Sequence, residues 1–309
     1  MISEYAIVPD VFDAAGYASP EVCDLRLGHL KECLLTRGVV RNLWNGGWWR
    51  HIEEQGDRWH HRAKELLKKL KQQGRLSDAA SCLPALPANA AEWGREALAS
   101  HAVSPLQGVV TDDATSKAFE KNPLVASITK LGQAPWWQGG NNSVEVRRTM
   151  DDYRKILGPV LQHSNSLMFI DPHLDPNKPQ YREFGSLLEA CGSVVSKPVI
   201  EIHRVCSVGG GATKQFLSEP ECRGMFEATV GPVVQRHGLR VEIFVWDKFH
   251  DRCLISNLIG ISLPNGFDVD RGDIGHTRWT RLDRKDSDTV QREFHPATQR
   301  HALRHRFVL

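Results

Sequence analysis

From residue 143 to the end of the chain, short apolar runs alternate with longer stretches of helical period, and this rhythm restricts the fold more than any other feature. "SLMFID", "KPVIEIHRVCSV" and "LRVEIFVWD" read as strands. Between them, "QYREFGSLLEACG" and "ATKQFLSEPECRGMFEATVGPVVQRHG" read as helices, the second interrupted near Pro220. "EVRRTMDDYRKILGPVLQ" reads as a helix before the first strand. "HDRCLISN" and "IGISL" read as a strand pair, and "HTRWTRLD" as a late edge strand. Strand–helix–strand alternation predicts an α/β fold with a mixed, largely parallel sheet flanked by helices. In such sheets ligands gather at the carboxyl ends of the strands.

The first 142 residues have a different texture. "SPEVCDLRLGHLKECLLTRG" begins on a serine that can cap a helix and ends on a glycine that can stop it. "RWHHRAKELLKKLKQQGRL" predicts a second helix with Leu66, Leu67 and Leu70 as its apolar stripe. "SCLPALPANA", with two prolines among small residues, reads as a linker. The expected organisation is a smaller, mostly helical N-terminal domain over 1–90, a linker or irregular region over 91–142, and an α/β domain over 143–309.

Composition narrows the class. Of 309 residues, 41% are apolar and 25% charged, as in soluble globular proteins, and the net charge is +2. No apolar run approaches 18 residues, and "MISEYAIVPDVFD" has neither a basic nor an apolar leader region, so neither a membrane partner nor secretion is expected. The seven cysteines are scattered, with no C-x-x-C pair, which predicts free thiols in a reducing, cytoplasmic setting and no structural zinc site of cysteine pairs.

Chemistry-bearing residues collect at the strand exits. "IDPHLDP" places Asp171, His173 and Asp175 at alternating positions. The next strand carries Glu201 and His203, then Arg204. The third runs into Asp247, then His250 and Arg252. A strand buried on both faces is apolar throughout, so polar exits have either a solvent reason or a site reason. If His250 and Arg252 lie on a strand, they share one face. A guanidinium fork fits a phosphate, and a neighbouring imidazole can attack phosphorus or deliver a proton near neutral pH. Asn257, five residues on, can hold a phosphate oxygen or orient the histidine. Solvation, or pairing to Asp247 and Asp251, accounts for the same two residues without any site. Asp171, His173 and Asp175 also have a mixed oxygen and nitrogen character that suits a divalent ion, although Pro172 and Pro176 make a turn the better expectation, and no metal is assigned.

The run His250, Asp251, Arg252, four residues, Asn257, followed by Gly260 and Ser262, resembles the phospholipase D-like superfamily, whose motif is histidine, any residue, lysine, four residues, aspartate. The order of strands and helices over roughly residues 145 to 285 looks similar too. Arginine stands here for lysine and asparagine for aspartate. The resemblance implies a phospholipase D-like α/β domain and metal-independent phosphodiester chemistry in which one histidine is phosphorylated and a second protonates the leaving group. His250 would be nucleophile or acid, Arg252 the phosphate clamp, Asn257 the orienting group, and Asp171 and His203 further contributors. No cofactor is implied. His276, Arg278 and Asp283 repeat the spacing but lie too near to be a duplicated half-domain, so a homodimer would supply the second histidine.

Two further segments bear on partners. "SVGGGATK" follows a strand and precedes a helix, so Gly210 and Lys214 are candidate phosphate contacts. Residues 58 to 75 hold seven Lys/Arg and one acid. Arg62, Lys64, Lys68, Lys69 and Lys71 form a candidate nucleic-acid-binding face, though a solvated back of an amphipathic helix has the same pattern. The expected function is a metal-independent phosphodiesterase, a nuclease on DNA or RNA, by analogy one serving bacterial defence with further subunits. The rival expectation is a catalytically degenerate phospholipase D-like module that binds nucleic acid or another phosphate-bearing partner in a larger assembly.

Overall fold

The computed structural model describes residues 1–138, 142–192, 197–209, 213–270, 272 and 274–309. The chain is an α/β protein of two compact units, one over Ile2–Gly140 and one over Asn141–Leu309.

The N-terminal unit is built on five parallel strands: β1 (Ser3–Ile7), β2 (Gly38–Asn42), β3 (Leu76–Asp78), β4 (Gly108–Thr111) and β5 (Val125–Ser127), in the order β3-β2-β1-β4-β5. Each neighbouring pair is parallel. Helices α1 (Pro20–Arg37), α2 (Leu43–Glu54), α3 (His61–Gln72), α4 (Ala90–Val103), α5 (Asp113–Lys117) and α6 (Pro135–Gln138) connect and flank them. Helix α1 begins and ends where the sequence says: the Ser19 side chain accepts from the Val22 amide, and Gly38 follows its last turn. In α3, Leu66, Leu67 and Leu70 are buried as expected.

This unit differs from the expected division into a helical 1–90 and an irregular 91–142. The sheet runs through both stretches, with β4 and β5 in the second. Its strands are three to five residues long, and β2 and β4 are buried at every position. Such short, non-alternating runs have no periodicity to separate them from buried helix. The proline-containing segment after β3 is fastened inside the unit. Glu96, fully buried on α4, accepts from the Cys82 and Leu83 amides at 2.9 and 2.7 Å.

The C-terminal unit carries an eight-stranded mixed sheet. Its elements in chain order are β6 (Ser143–Arg147), α7 (Met150–His163), β7 (Ser166–Ile170), α8 (Gly185–Gly192), β8 (Val199–Val205), the small hairpin β9 (Ser207–Val208) and β10 (Gln215–Phe216), α9 (Glu219–Thr229), α10 (Gly231–His237), β11 (Val241–Trp246), β12 (Cys253–Ser256), β13 (Gly260–Ser262), β14 (His276–Leu282), α11 (Arg284–Glu293) and β15 (Leu303–Val308). Strand order is β15-β11-β8-β7-β12-β13-β14-β6. The helix-connected strands β7, β8 and β11 pair in parallel. The strands joined by shorter links, from β12 onward, pair antiparallel. The parallel ladder is therefore the centre of this sheet and the antiparallel strands extend it. Strands β6 and β15 are its edges. The first occupies the beginning of a stretch expected to be helical, and the second lies in what reads from sequence as a basic tail.

Both faces of the central strands are covered. Met168, Ile170, Val205, Phe244, Trp246 and Ile255 pack with Phe294 on one face. On the other, Phe169, Phe184 and Phe267 meet with ring centroids 5.3 to 5.7 Å apart. Among the described residues no helix is long and apolar enough to cross a membrane.

Candidate phosphate-binding site

Strand β7 delivers Asp171 to the site. Its carboxylate is fully buried at the strand exit. Oδ1 accepts from the His173 amide at 2.9 Å, while Oδ2 accepts from the Phe267 amide at 3.0 Å and from the Tyr181 hydroxyl at 3.1 Å. Burial pushes its pKa up, and the amide bonds from His173 and Phe267 pull it back. Asp171 is thus the clasp that ties the turn after β7 to the turn after β13. A glycine is needed at the second turn: Gly266 has φ +65°, and a Cβ there would stand 2.6 Å from Asp171 Cγ.

Arg252 enters from the residue before β12. Its Nη1 donates to the Pro264 carbonyl at 2.7 Å, and its Nε lies 3.9 Å from Asp171 Oδ1. Its side chain remains about one-third exposed. It borders a cavity of about 250 Å³ lined also by His173, Lys178, Tyr181, Asn265 and Asp268. Asp268 Oδ2 is paired with Arg148 at 2.9 Å. His173 is drawn below the ordinary histidine pKa by desolvation, and Arg252, Lys178 and the buried Arg204 push the same way against Asp171. The cavity thus offers a guanidinium, an ammonium and an imidazole, together with the Asp268 carboxylate, around one small space, and the first three are donors that suit a phosphate.

Of the residues expected at the site, Arg252 and Asp171 are brought together. His250 is not. The chain from 248 to 252 lies outside any strand, and β12 begins only at Cys253. His250 is exposed and does not line the cavity. Asn257 lies beyond the far end of β12, about 16 Å of extended chain from Arg252. There its Oδ1 accepts from the amides of Asn165 and Ser166 at 2.8 and 3.4 Å, fastening the start of β7. His203 is a core residue on the opposite face of β8 from Arg204. It is fully buried, stacks on Phe244 at 4.7 Å, accepts from the Trp246 indole at 3.1 Å and faces Glu201 at 3.1 Å. With both ring nitrogens engaged and no exposure, it has no route to a ligand.

Lys214 is exposed in the β9–β10 hairpin, its ammonium 5.0 Å from the Phe216 ring centroid, and Gly210 lies outside the described residues. On α3 the basic face is mostly charge-paired: Arg62 with Asp24, Lys64 with Asp57, Lys69 with Glu65 and Lys71 with Glu53, at 3.1 to 3.9 Å. Lys68 is exposed. Asp171, His173 and Asp175 do not converge as metal ligands, since Asp171 is committed as above and Asp175 Oδ1 accepts from the Asn177 amide at 3.1 Å. Lys178, Tyr181, Asn265 and Asp268 carried no sequence signal of their own, because they lie in loops far apart in the chain that meet through the Asp171 clasp and a bond from the Val269 amide to the Gln180 carbonyl.

No protein-family profile matches the chain, and no curated protein does. Among solved structures, it is similar to TrmBL2, an archaeal chromatin protein whose structure shows a novel mode of DNA binding. Identity is 12%, 78% of this chain and 82% of that one are covered, and the TM-score is 0.32. It is also similar to a polyphosphate kinase from Porphyromonas gingivalis, at 14% identity over 53% of this chain and 27% of that one, with a TM-score of 0.34. Superpositions this loose transfer neither fold nor activity.

Proposed function

We propose that the C-terminal unit is a phospholipase D-like module that binds a phosphate-bearing partner, nucleic acid in the first place, through the cavity beside Arg252. The observation that supports this most is the convergence of Arg252, Lys178 and His173 on one space of about 250 Å³, with Arg252 oriented by Pro264 and Asp171. A partly exposed guanidinium fixed in this way keeps its remaining donors for a ligand. Arg278, Arg284 and Arg300 of the same unit are exposed but each faces a carboxylate (Glu145, Asp288 and Glu293) at 3.7 to 4.0 Å, so, like the α3 face, they add no unpaired charge for a polyanion.

Binding is favoured over hydrolysis because one imidazole lines the cavity. The two-histidine chemistry implied by the resemblance needs a second, to protonate the leaving group. A nuclease reading retains one specific support: His173 is held neutral by its surroundings and could act as the nucleophile, with a second copy of the chain supplying the acid.

The test is fluorescence anisotropy of 5′-phosphorylated single-stranded DNA and RNA with the full chain in chelator. Binding weakened at least tenfold by Arg252→Ala and unchanged by His250→Ala supports the proposal. Affinity indifferent to Arg252 overturns it. Strand cleavage in the same samples, lost in His173→Ala, would establish the nuclease reading instead.

A further inference from the structure

We propose that Asp24, His60 and His61 form a zinc-binding site in the N-terminal unit, outside the phosphate cavity and independent of it. Asp24 lies on α1; His60 is the N-cap of α3 and His61 its first residue. The helices pack together along Leu27, Leu30 and Leu34 of α1 and Ala63, Leu66, Leu67 and Leu70 of α3, which belong to one buried cluster. A Lys31–Glu65 pair at 2.7 Å fixes their register.

The packing brings three ligand atoms together. His60 Nε2 and His61 Nε2 each lie 3.5 Å from Asp24 Oδ1, and ligand atoms of the three residues all fall within 4.8 Å of one another. Two donor atoms each about 2.0–2.1 Å from a tetrahedral zinc stand about 3.3 Å apart. The two Asp24–imidazole edges of 3.5 Å therefore match those of a zinc tetrahedron, whereas they are long for direct hydrogen bonds. Among the described residues no other group of three metal-ligating side chains is this close.

One observation points to a cation, and a second is compatible with it. Asp24 Oδ1 is buried and makes no well-formed hydrogen bond, since the two imidazole nitrogens that face it stand off at 3.5 Å, and an ion between them would close that gap. The other oxygen, Oδ2, faces Arg62 Nε and Nη2 at 3.4 and 3.5 Å. That is the outer-shell contact that orients a ligating carboxylate. Zinc is favoured over calcium or magnesium because two of the three ligands are imidazoles, and three protein ligands leave a fourth position for water or a partner's group. Binding changes one existing contact. His60 Nδ1 accepts from the Arg62 amide at 3.3 Å, so Nε2 carries the proton in the metal-free ring. Zinc at Nε2 places the ring proton on Nδ1 and releases this long capping bond.

The experiment is titration of the full chain with zinc against a chromogenic chelator, together with cobalt(II) absorption. One equivalent is expected to bind, with a ligand-field spectrum free of thiolate charge transfer, which excludes the seven cysteines as the site. Asp24→Asn and His61→Ala each lower affinity at least tenfold, and Arg62→Ala lowers it about tenfold. The His61 side chain is 71% exposed, so its removal leaves the core intact, and an unchanged Tm verifies this. Absence of binding at tens of micromolar zinc, a thiolate band, or affinity unchanged in His61→Ala overturns the proposal.

Discussion

A methyl group on Gly266 would sit on the Asp171 carboxylate, and φ at Gly266 is +65°, so the turn after β13 can close over the buried acid only with glycine at this position. Gly266→Ala is therefore expected to destabilise the chain by about 2–5 kcal/mol, from left-handed strain together with overpacking. It is also expected to abolish phosphate binding, because Arg252 is oriented by Pro264 of the same turn. Urea denaturation and anisotropy on one preparation check both effects.

Arg252→Lys separates charge from geometry. Lysine keeps the positive charge but cannot reach the Pro264 carbonyl while presenting a planar fork to the ligand. Affinity for a 5′-phosphorylated oligonucleotide should fall about tenfold, with thermal stability nearly unchanged. Affinity equal to wild type would mean that the site senses charge alone.

His203 sets a pH dependence of stability. Desolvation drives its pKa below 6.5 in the folded chain, with Glu201 opposing. The unfolded chain therefore binds its proton first as pH falls. The stability linked to the neutral ring is complete above pH 6.5 and is lost as pH drops from there through the folded-state value. His203→Gln should show a shallower decline of Tm between pH 7 and pH 5 than wild type, alongside a lower Tm at pH 7 from lost packing on Phe244. Parallel declines in both proteins would remove His203 as the titrating group.

Asn257→Ala should cost about 0.5–1.5 kcal/mol, the worth of its acceptor bonds to the Asn165 and Ser166 amides, while leaving oligonucleotide affinity unaltered. Loss of affinity without loss of stability would return Asn257 to the binding site.

Glu96→Ala leaves the Cys82 and Leu83 amides without their acceptor and is expected to cost about 3 kcal/mol. Glu96→Gln keeps one acceptor oxygen and should lose less. Denaturation monitored by tryptophan emission follows this, since Trp93 lies one turn away on α4.

The α/β class was legible because β7, β8 and β11 are five to seven residues long and are separated by helices. The N-terminal sheet was not. "GVVRN" and "GVVT" are too short to show a period, and their burial comes from neighbours far along the chain. At the site, Arg252 and Asp171 were visible as polar residues where an apolar strand ends or begins. The expected partnership of Arg252 with His250 depended on a paired strand that residues 248–252 do not form. His173, read from sequence as a possible metal ligand, lines the cavity, because the Asx turn at Asp171 redirects the chain after the strand.

Three stretches of chain, around residues 171, 252 and 266, must all arrive before the cavity exists, and they are fastened through the Asp171 carboxylate, the Pro264 carbonyl and the backbone bond from the Leu263 amide to the Arg252 carbonyl. A half-assembled C-terminal unit has no pocket to offer. Ligand affinity thus becomes a gauge of complete folding: whatever occupies the cavity selects the finished chain over every precursor and raises its melting point in proportion to the logarithm of its concentration.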